Sequence, residues 1–356
     1  MTITKLGINM ANIGLKLKSL RKEHGYSQIQ LAEYLKIDQS NLSKIENNKR
    51  NLNLTLLDKI CLLYNCTPEY LLGESDEYEK QKIMFKSGND MDLNAIAKIN
   101  KLSCDLSILR KYSNPQEPKL PKLNINIRRH MGIDEYSPMN LFTLITQKIQ
   151  NLTIVSFPMK RSVSGCCFKK DYDFIILINS MHSIGRRNFT LAHELYHLLN
   201  DDENFYICSE GLKNKIEEKA DEFAFNLLMT KHGLYEFMES NNINEWSIED
   251  IIKCEQYFQI DHNSLIRRLY CENFINGTQF AEFSFNIIDK ASRLGYDTSL
   301  YESPKDKKYN SIGHMIPLTE KLWEEEKIGN SIRKDILLDL YKEELIYKSL
   351  SDYNEP

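Results

Sequence analysis

The spacing of apolar residues in the first part of the chain predicts a series of short helices. Between residues 13 and 73, apolar side chains recur every three or four positions, which is typical of amphipathic helices that bury one face. Leu15 and Leu20 are the apolar positions assigned to the first helix, among basic neighbours. This helix is predicted to end at "EHGYS", where Gly25 can adopt the left-handed conformation common at helix ends.

A second and a third helix follow so closely that they must cross at a steep angle. Ser27 and Gln30 form a capping box that starts the second helix. The predicted buried face of this helix comprises Ile29, Ala32 and Leu35. After a connection of about three residues, Asp38 can cap the third helix, "QSNLSKIEN". Two helices joined by so short a turn predict a helix-turn-helix.

The third helix has a polar face suited to reading DNA bases. Leu42 and Ile45 define its inward line at helical spacing. The candidate DNA-contacting residues on the opposite face and at the N-terminal end, which enters a major groove, are Gln39, Ser40, Asn41, Ser43, Lys44 and Asn47. Glutamine and asparagine can form paired hydrogen bonds with adenine, and lysine can reach guanine or phosphate. The alternative is an ordinary solvent-exposed face on a small helical bundle.

The stretch "SQIQLAEYLKIDQSNLSKIENNKRNLNLTLLDKICLLYNCTPEYLLG" resembles the XRE/Cro-type helix-turn-helix. The positions that match the pattern of that family are Ser27, Gln28, Leu31, Ala32, Ser40, Leu42, Ser43, Ile45 and Glu46. The resemblance implies a domain at residues 8–73 that binds a double-stranded DNA operator, and it adds Gln28 to the candidate DNA contacts. A homodimer is expected because such domains usually read paired half-sites. Interaction with protein alone is the alternative.

Farther along the chain, the pattern changes to a mixture of strands and helices. The acidic, polar residues 74–92 are interpreted as a linker. Helical patterns at residues 93–112 and in "NLFTLITQKIQ" precede three short β-branched runs, "LTIVSF", "SVSGCCF" and "FIILIN". The turn residues "KKDYD" between the last two runs predict a hairpin in a small sheet.

The helix predicted for "FTLAHELYHLLN" carries two histidines on one face. His193 and His197 are four residues apart, so they can present two imidazole nitrogens to a single ion. Glu194 is rotated by about 100° around the helix, where it can reach water activated by the ion without being a ligand. A third ligand is needed to complete such a site.

The third candidate ligand comes from "LKNKIEEKADEFAFNLLMT", the next amphipathic stretch. Its predicted inward line comprises Ile216, Ala220, Phe223, Ala224, Leu227 and Leu228. Glu217 lies within or beside this line, and an inward carboxylate without a partner is costly, so it calls for a cation. A set of two histidines and one glutamate leaves the fourth position open, as in catalytic zinc sites. Asp221, one turn later, can accept the other N–H of a ligating histidine.

The segments "RRNFTLAHELYHLL" and "EEKADEFAFNLLMT" are similar to those of the ImmA/IrrE metallopeptidases. The resemblance, which the "IILIN" strand and Gly165 also fit, covers roughly residues 120 to 275. It implies that His193, His197 and Glu217 bind Zn²⁺ and that Glu194 is the catalytic general base. Mn²⁺ or Fe²⁺ would suit the same ligands. Alternatively, the histidines are satisfied core residues, or the metal has a structural role.

Two positions depart from the ImmA/IrrE pattern. Tyr196 stands where glycine is common, and it adds bulk beside the metal that would narrow a substrate cleft. Thr230 replaces the usual proline, which is expected to affect only the end of a helix.

The sequence offers two weaker candidates for site residues. His182, in the loop before the histidine helix, could assist an oxyanion, but a lone loop histidine is more often a surface group. Cys166 and Cys167 could contact the metal as thiolates, but buried inert thiols are the simpler interpretation.

The distribution of charge and the arrangement of the cysteines indicate which classes of protein the chain can belong to. Residues 1–73 hold ten Lys/Arg against six Asp/Glu, a charge of +4, which leaves −8 for the remainder of a chain whose net charge is −4. This asymmetry indicates an N-terminal module attracted to a polyanion. The eight cysteines include no CxxC pair, so a zinc ribbon, a redox dithiol and a secreted disulfide framework are not expected. No leader or membrane-spanning stretch is evident, and a cytoplasmic protein without a membrane partner is expected.

The sequence therefore predicts a multidomain protein. Its predicted parts are an all-α helix-turn-helix domain (8–73), a linker (74–92), an α+β zincin-like metallopeptidase domain with the HExxH motif (93–275) and a mostly helical C-terminal region of unknown role (276–356). The two family resemblances imply transcriptional regulation of mobile-element or stress genes, with cleavage of a helix-turn-helix repressor or of the chain itself. The alternative is a regulator without catalysis, whose metal site is structural or sensory.

Overall fold

The computed structural model divides the chain into two compact units. It describes residues 13–78, 84–85, 92–113, 127–200, 205–209, 215–303 and 309–347. The first unit comprises residues 1–82 and 91–105, and the second comprises residues 83–90 and 106–356. The four predicted domain ranges remain predictions.

The N-terminal unit is helical in its described part. Its helices are α1 (Ile13–Glu23), α2 (Gln28–Leu35), α3 (Gln39–Glu46), α4 (Leu54–Tyr64), α5 (Pro68–Leu72) and the first part of α6 (Leu93–Tyr112). The core is formed by Leu17, Leu20, Leu31, Leu35, Leu42, Ile45, Ile60 and Leu63. The helix-turn-helix predicted for residues 27–47 is therefore α2 and α3, with α1 and α4 completing the bundle.

The predicted ends of these helices agree with the structure except at one cap. Gly25 follows α1 with φ +71°, the left-handed conformation that favours glycine. Ser27 and Gln30 form both hydrogen bonds of the capping box at the start of α2. Asp38 occupies the cap position of α3, but its side chain accepts no capping hydrogen bond from the backbone of that helix.

Two predicted core positions of the N-terminal unit are wrong. Leu15 and Ile29 are 54% and 56% exposed, respectively. In α1 the predicted Leu20 is buried, and Leu17 rather than Leu15 accompanies it on the buried face. Ile29 lies in the first turn of α2, outside the face that this helix buries.

The second unit contains one mixed sheet and most of the helices. Its strands are β1 (Met84–Phe85), β2 (Leu152–Phe157), β3 (Val163–Lys170), β4 (Asp173–Asn179), β5 (Phe205–Ser209) and β6 (Asn310–Gly313). The helices that surround the sheet are α7 (Ile127–His130), α8 (Leu141–Lys148), α9 (Ile184–Asn200), α10 (Lys215–Leu228), α11 (Lys231–Ser240), α12 (Ile248–Phe258) and α13 (His262–Cys271). The C-terminal helices are α14 (Gly277–Phe283), α15 (Ile287–Arg293), α16 (Met315–Glu324), α17 (Asn330–Asp339) and α18 (Glu343–Ile346).

The strand order is β1-β5-β3-β4-β2-β6. The predicted hairpin is β3–β4, an antiparallel pair in which Lys170 faces Asp173 across the turn. Strand β2 lies parallel to β4, and β6 pairs antiparallel with β2. The predicted helical C-terminal region therefore contributes a strand to the sheet. Its short "NSIG" stretch has too little alternation to predict that pairing from the sequence.

Helix α9 packs on strands β3 and β4 and against α10. The close approach to β3 depends on Gly165, where an added Cβ would lie 2.8 Å from Thr190 Cγ2 and 3.2 Å from Glu194 Cγ. A larger residue at this position would push the helix away from the sheet. Gly165 thus sets the depth of the helix that carries the histidines. In the described part of the chain, no helix is long and apolar enough to cross a membrane.

Candidate functional site

Helices α9 and α10 bring the three predicted metal ligands together. The Nε2 atoms of His193 and His197 are 3.1 Å apart, and Glu217 Oε2 is 3.1 Å from His193 Nε2. Glu217 Oε1 is 3.4 Å from His197 Nε2. All three side chains are buried, and their ligand atoms lie within 4.8 Å of one another.

These separations fit a tetrahedral zinc site. Ligand bonds of roughly 2.0–2.2 Å at tetrahedral angles put the ligand atoms roughly 3.3 Å apart. The observed separations of 3.1, 3.1 and 3.4 Å match that spacing. A buried carboxylate facing two imidazole nitrogens also supplies the charge that a divalent cation requires. The three side chains supply three of the four tetrahedral ligands and leave the fourth position open, as in catalytic zinc sites.

Asp221 lies where the sequence predicts a supporting partner for a ligating histidine. Its Oδ1 is 3.0 Å from Nδ1 of His193, the ring nitrogen that faces away from the other two ligands. Burial lowers the pKa of His193, but hydrogen bonds with Asp221 and Glu217 and the nearby charge of Glu194 raise it to about 9. A cation must displace this proton to bind, since a ligating histidine is neutral.

The predicted general base, Glu194, lies in α9 together with the two histidines. Glu194 is fully buried, and its Cγ lies against Gly165 of β3. Its charge contributes to the raised pKa of His193, so the carboxylate lies within electrostatic range of the ligand set. In the described residues, the possible metal-binding cluster contains His193, His197 and Glu217 and excludes Glu194.

The structure also shows what the two departures from the ImmA/IrrE pattern do. The Tyr196 ring packs edge-on against the ring of His197, with centroids 5.6 Å apart, and contacts Phe223. Tyr196 therefore forms a wall beside the candidate ligands. Thr230 caps α11 by accepting a hydrogen bond from Gly233 N, and its hydroxyl donates to Glu135 O.

The prediction is wrong for one residue of the inward line of α10. Ile216 is 45% exposed, whereas Glu217 beside it is buried. The remaining apolar positions of that line turn toward α9 or are partly buried. The first turn of α10 therefore presents its carboxylate, rather than its isoleucine, to the neighbouring helix.

In the described residues, the possible metal-binding cluster does not include the weaker candidates. Cys166 and Cys167 are buried in β3, on opposite faces of the strand. His182 forms a hydrogen bond through Nε2 with Arg161 O. The structure thus favours packing and loop roles for these three residues.

Changing Asp221 to asparagine is expected to weaken metal binding by about 10–100-fold while leaving the fold intact. The reason is that asparagine removes the charge that orients and polarises His193. Competition titration with a zinc chelator measures the affinity. Glu222→Gln is the matched control, because Glu222 is the exposed neighbour on the same helix. Equal zinc affinity in both variants would show that Asp221 does not support the ligand.

The candidate DNA-contacting residues form a partly connected surface on α2 and α3. Gln39, Ser40, Lys44 and Asn47 are exposed, and the other candidates are partly exposed. Gln39 donates to Gln28 Oε1 at 3.2 Å, and Gln28 in turn donates to Glu46 Oε2 at 2.8 Å. Asn47 donates to Ser43 O at 2.8 Å. The side chains of Ser40 and Lys44 therefore project outward, whereas the hydrogen bond with Gln28 holds the side chain of Gln39.

A buried ion pair between α1 and α3 supports this surface from the interior of the N-terminal unit. Arg21 of α1 donates to both carboxylate oxygens of Glu46, at 2.6 and 3.0 Å. Burial opposes ionisation of Glu46, but the hydrogen bonds from Arg21 and Gln28 hold its pKa below the usual value. Removal of one partner from such a buried pair costs about 3–5 kcal/mol. The pair joins α1 to α3 and positions Gln28.

One residue of this surface was missed from the sequence. Arg50 is exposed and donates to Asn41 Oδ1 at 2.7 Å, so it adds a positive charge near the start of α3. The basic pair in "NNKRN" after α3 was the available signal.

Two parts of the chain match known protein families. Residues 17–71 match a helix-turn-helix family, and residues 152–270 match the IrrE N-terminal-like domain, a peptidase family. The chain combines an XRE-type helix-turn-helix domain with an ImmA/IrrE-like peptidase domain. The IrrE-like match includes every candidate metal-site residue.

Relatives of known name share a short stretch with this protein. It is 37% identical over 71 residues to the HTH-type transcriptional regulator ImmR of Bacillus subtilis, which is 20% of this chain and 56% of ImmR. It is 40% identical over 68 residues to the HTH-type transcriptional regulator SinR of Bacillus licheniformis, 19% of this chain and 61% of SinR. Antitoxin PezA of Streptococcus pneumoniae is 36% identical over 62 residues, 17% of this chain and 39% of PezA. The chain thus spans less than two thirds of the length of these relatives.

Proposed function

We propose that this protein is a DNA-binding transcriptional regulator whose IrrE-like domain is a metal-dependent endopeptidase. The observation that carries the proposal is the set of ligand separations at His193, His197 and Glu217, which match a tetrahedral zinc site with one open position. An XRE-type helix-turn-helix domain on the same chain supplies the DNA-binding function.

The residues of the site have distinct roles in peptide hydrolysis. A divalent cation held by His193, His197 and Glu217 would polarise the peptide carbonyl and acidify the attacking water. Glu194 takes the proton from that water and delivers it to the leaving amine. Asp221 would hold the His193 ring through Nδ1, which leaves Nε2 facing His197 and Glu217. Tyr196 narrows the cleft beside the ligands.

The proposed substrate is a protein with a helix-turn-helix fold, either a separate repressor or this chain itself. Cleavage would release genes of mobile elements or stress responses from repression. The second candidate function is regulation without catalysis, with the metal as a structural or sensory element. It is favoured by the names of the relatives, which describe regulators and an antitoxin.

Intact-mass spectrometry of the full-length protein tests the proposal. The protein is incubated with Zn²⁺ or Mn²⁺, alone and with an XRE-type repressor from the same genome, and a parallel sample contains EDTA. Fragments that form only with metal would establish a metallopeptidase and locate the cleaved bond. An uncleaved mixture with one metal ion bound per chain would favour the regulator without catalysis.

On DNA, we propose that α3 of each subunit in a homodimer enters the major groove of a double-stranded operator. Gln39 is the candidate base-reading residue, and Gln28 holds it through the hydrogen bond of 3.2 Å. Lys44 and Arg50 add positive charge for phosphate or guanine. Ser40, Asn41, Ser43 and Asn47 complete the proposed contact surface.

Replacing Gln39 with alanine is expected to weaken binding to the preferred operator by about 1–3 kcal/mol, since one paired contact with a base is lost. The operator is first selected from random duplexes, and affinities are then measured by fluorescence anisotropy over a range of salt concentrations. Binding by both proteins should fall steeply with salt, because phosphate contacts release counterions. A flat salt dependence for the wild type would refute DNA binding through this basic module.

A further inference from the structure

A second pocket lies in the body of the protein. It is an open cleft bordered by α8, the start of α9, the end of α12 and strands β2 and β6, and its volume is about 900 Å³. This volume lies within the usual range for small-molecule sites, about 300–1,000 Å³. None of the candidate metal-site residues lines it. The pocket is therefore separate from the proposed peptidase site.

The described residues that line the pocket carry a positive charge and no negative one. Among these described residues, Arg187 is the charged one. The polar part of the wall consists of side-chain amides and serine or threonine hydroxyls, and the apolar part includes Leu141, Phe142, Ile154, Ile184 and Ile312. An apolar body with one cationic anchor is typical of sites that orient a small ligand by its anionic group.

Arg187 has no partner in the described part of the chain. Its Nε is buried without a hydrogen-bond acceptor, and burial lowers the pKa of the guanidinium. The fully buried arginines Arg128 and Arg333 of this unit are satisfied: Arg128 donates to four backbone carbonyls, and Arg333 pairs with Glu320. Arg187 is half-buried, and a partly desolvated cation without a counter-ion favours the binding of an anion.

Two side-chain amides of the same pocket also have donors that an anion can use. Asn140 uses its side-chain oxygen to accept from Thr143 N, and the side-chain oxygen of Asn310 accepts from Lys342 Nζ. Each of these bonds leaves the NH₂ group of the amide available as a donor. Arginine binds carboxylate and phosphate groups through two parallel N–H bonds, and amide donors complete such sites.

We propose that this pocket binds a small molecule with a carboxylate or phosphate head group and an apolar body. The head group pairs with Arg187, and the body packs against Ile154, Phe142 and their apolar neighbours. This site is an effector site, and its existence does not depend on peptidase activity.

The position of Arg187 connects the effector site to the candidate metal centre. Arg187 lies seven residues before Glu194 in α9, which is two helical turns and about 10 Å along the same face of one rigid helix. A ligand that pairs with Arg187 would hold the first half of the helix whose second half carries His193 and His197. Occupancy of the pocket can therefore bias the geometry of the metal ligands.

Binding of matched probes to the full-length protein tests the proposal. Benzoate and phenyl phosphate supply the two anionic head groups on the same apolar ring, and benzyl alcohol is the neutral control. Affinities are measured by isothermal titration calorimetry and by the shift in melting temperature, in a phosphate-free buffer. We expect at least one anion to bind the wild type and to raise its melting temperature, with benzyl alcohol weaker by about tenfold or more. Preference for one anion identifies the head group.

Variants at two adjacent arginines locate the binding. Arg187→Met is expected to bind the preferred anion at least about tenfold more weakly, and Arg187→Lys should be intermediate because it keeps the charge but loses the paired donors. Arg186→Met is the matched control, since Arg186 donates to Ser164 and does not line the pocket. Without ligand, the melting temperature of Arg187→Met should equal or exceed that of the wild type, because a half-buried charge without an ion-pair partner among the described residues is removed. Equal anion affinity in Arg187→Met and the wild type, or failure of both anions to bind the wild type, would overturn the proposal.

Discussion

Replacing Glu194 with glutamine is expected to abolish peptide cleavage while one metal ion remains bound to each chain. Glutamine keeps the size of the side chain but cannot take up a proton from water, and general base catalysis typically contributes about 10²–10⁴-fold to the rate. The rate is measured under single-turnover conditions by intact mass, and the metal is measured by elemental analysis of the same sample. A loss of cleavage with full metal content would assign proton transfer to Glu194.

Glu222→Gln is the control for this variant because it makes the same chemical change at an exposed position of α10. Two results would contradict the assignment. Wild-type cleavage by Glu194→Gln would place the general base elsewhere. Loss of the metal together with activity would indicate that Glu194 acts as a ligand or maintains the packing against Gly165.

Replacing Glu217 with alanine is expected to reduce metal affinity by more than the roughly 100-fold that loss of a supporting partner can cost. The reason is that alanine removes one of three protein ligands and the only negative charge among them, leaving two neutral imidazoles. Metal stoichiometry after dialysis against a weak chelator, together with a competition titration, measures the effect. Cleavage should disappear in the same variant.

The neighbouring Glu218 provides a matched control, since it is exposed and lies one residue away in α10. Glu218→Ala removes the same charge from the same helix without touching the cluster, so its metal content should equal that of the wild type. If Glu217→Ala retains one tightly bound ion per chain, then Glu217 is not a ligand, and the proposed site loses its third member.

Agreement between sequence and structure is closest where local chemistry decides the conformation. The capping box of Ser27 and Gln30 and the left-handed Gly25 depend on neighbours within a few residues, and the structure contains both. The β3–β4 hairpin depends on a local turn between two β-branched runs, and it is also present. The XRE-type and IrrE-like assignments made from the sequence agree with the family matches for the same reason, because each rests on short motifs of neighbouring residues.

The predictions that failed concern apolar residues at helix ends. Leu15, Ile29 and Ile216 all fit a helical period, yet each is about half exposed. All three lie within the first turns of their helices and outside the residues that those helices bury. Periodicity predicts which residues share a helix face, but not how far along the helix the buried contact extends.

The sequence by itself determined that His193 and His197 share one helix face, because residues four apart are always neighbours on an α-helix. It also determined the helix-turn-helix, since the connection between two periodic segments is too short for another arrangement. Only the tertiary structure decided that Glu217 lies 3.1–3.4 Å from both histidines, because this distance depends on how closely α9 and α10 pack.

The tertiary structure likewise decided the addition of β6 to the sheet and the placement of Arg187 in a pocket whose described lining residues include no acid. These features join residues from 20 to more than 100 positions apart, and no local pattern of the chain encodes their separation in space. Packing of side chains between elements sets such distances, whereas backbone periodicity sets only the direction in which each side chain leaves its own element.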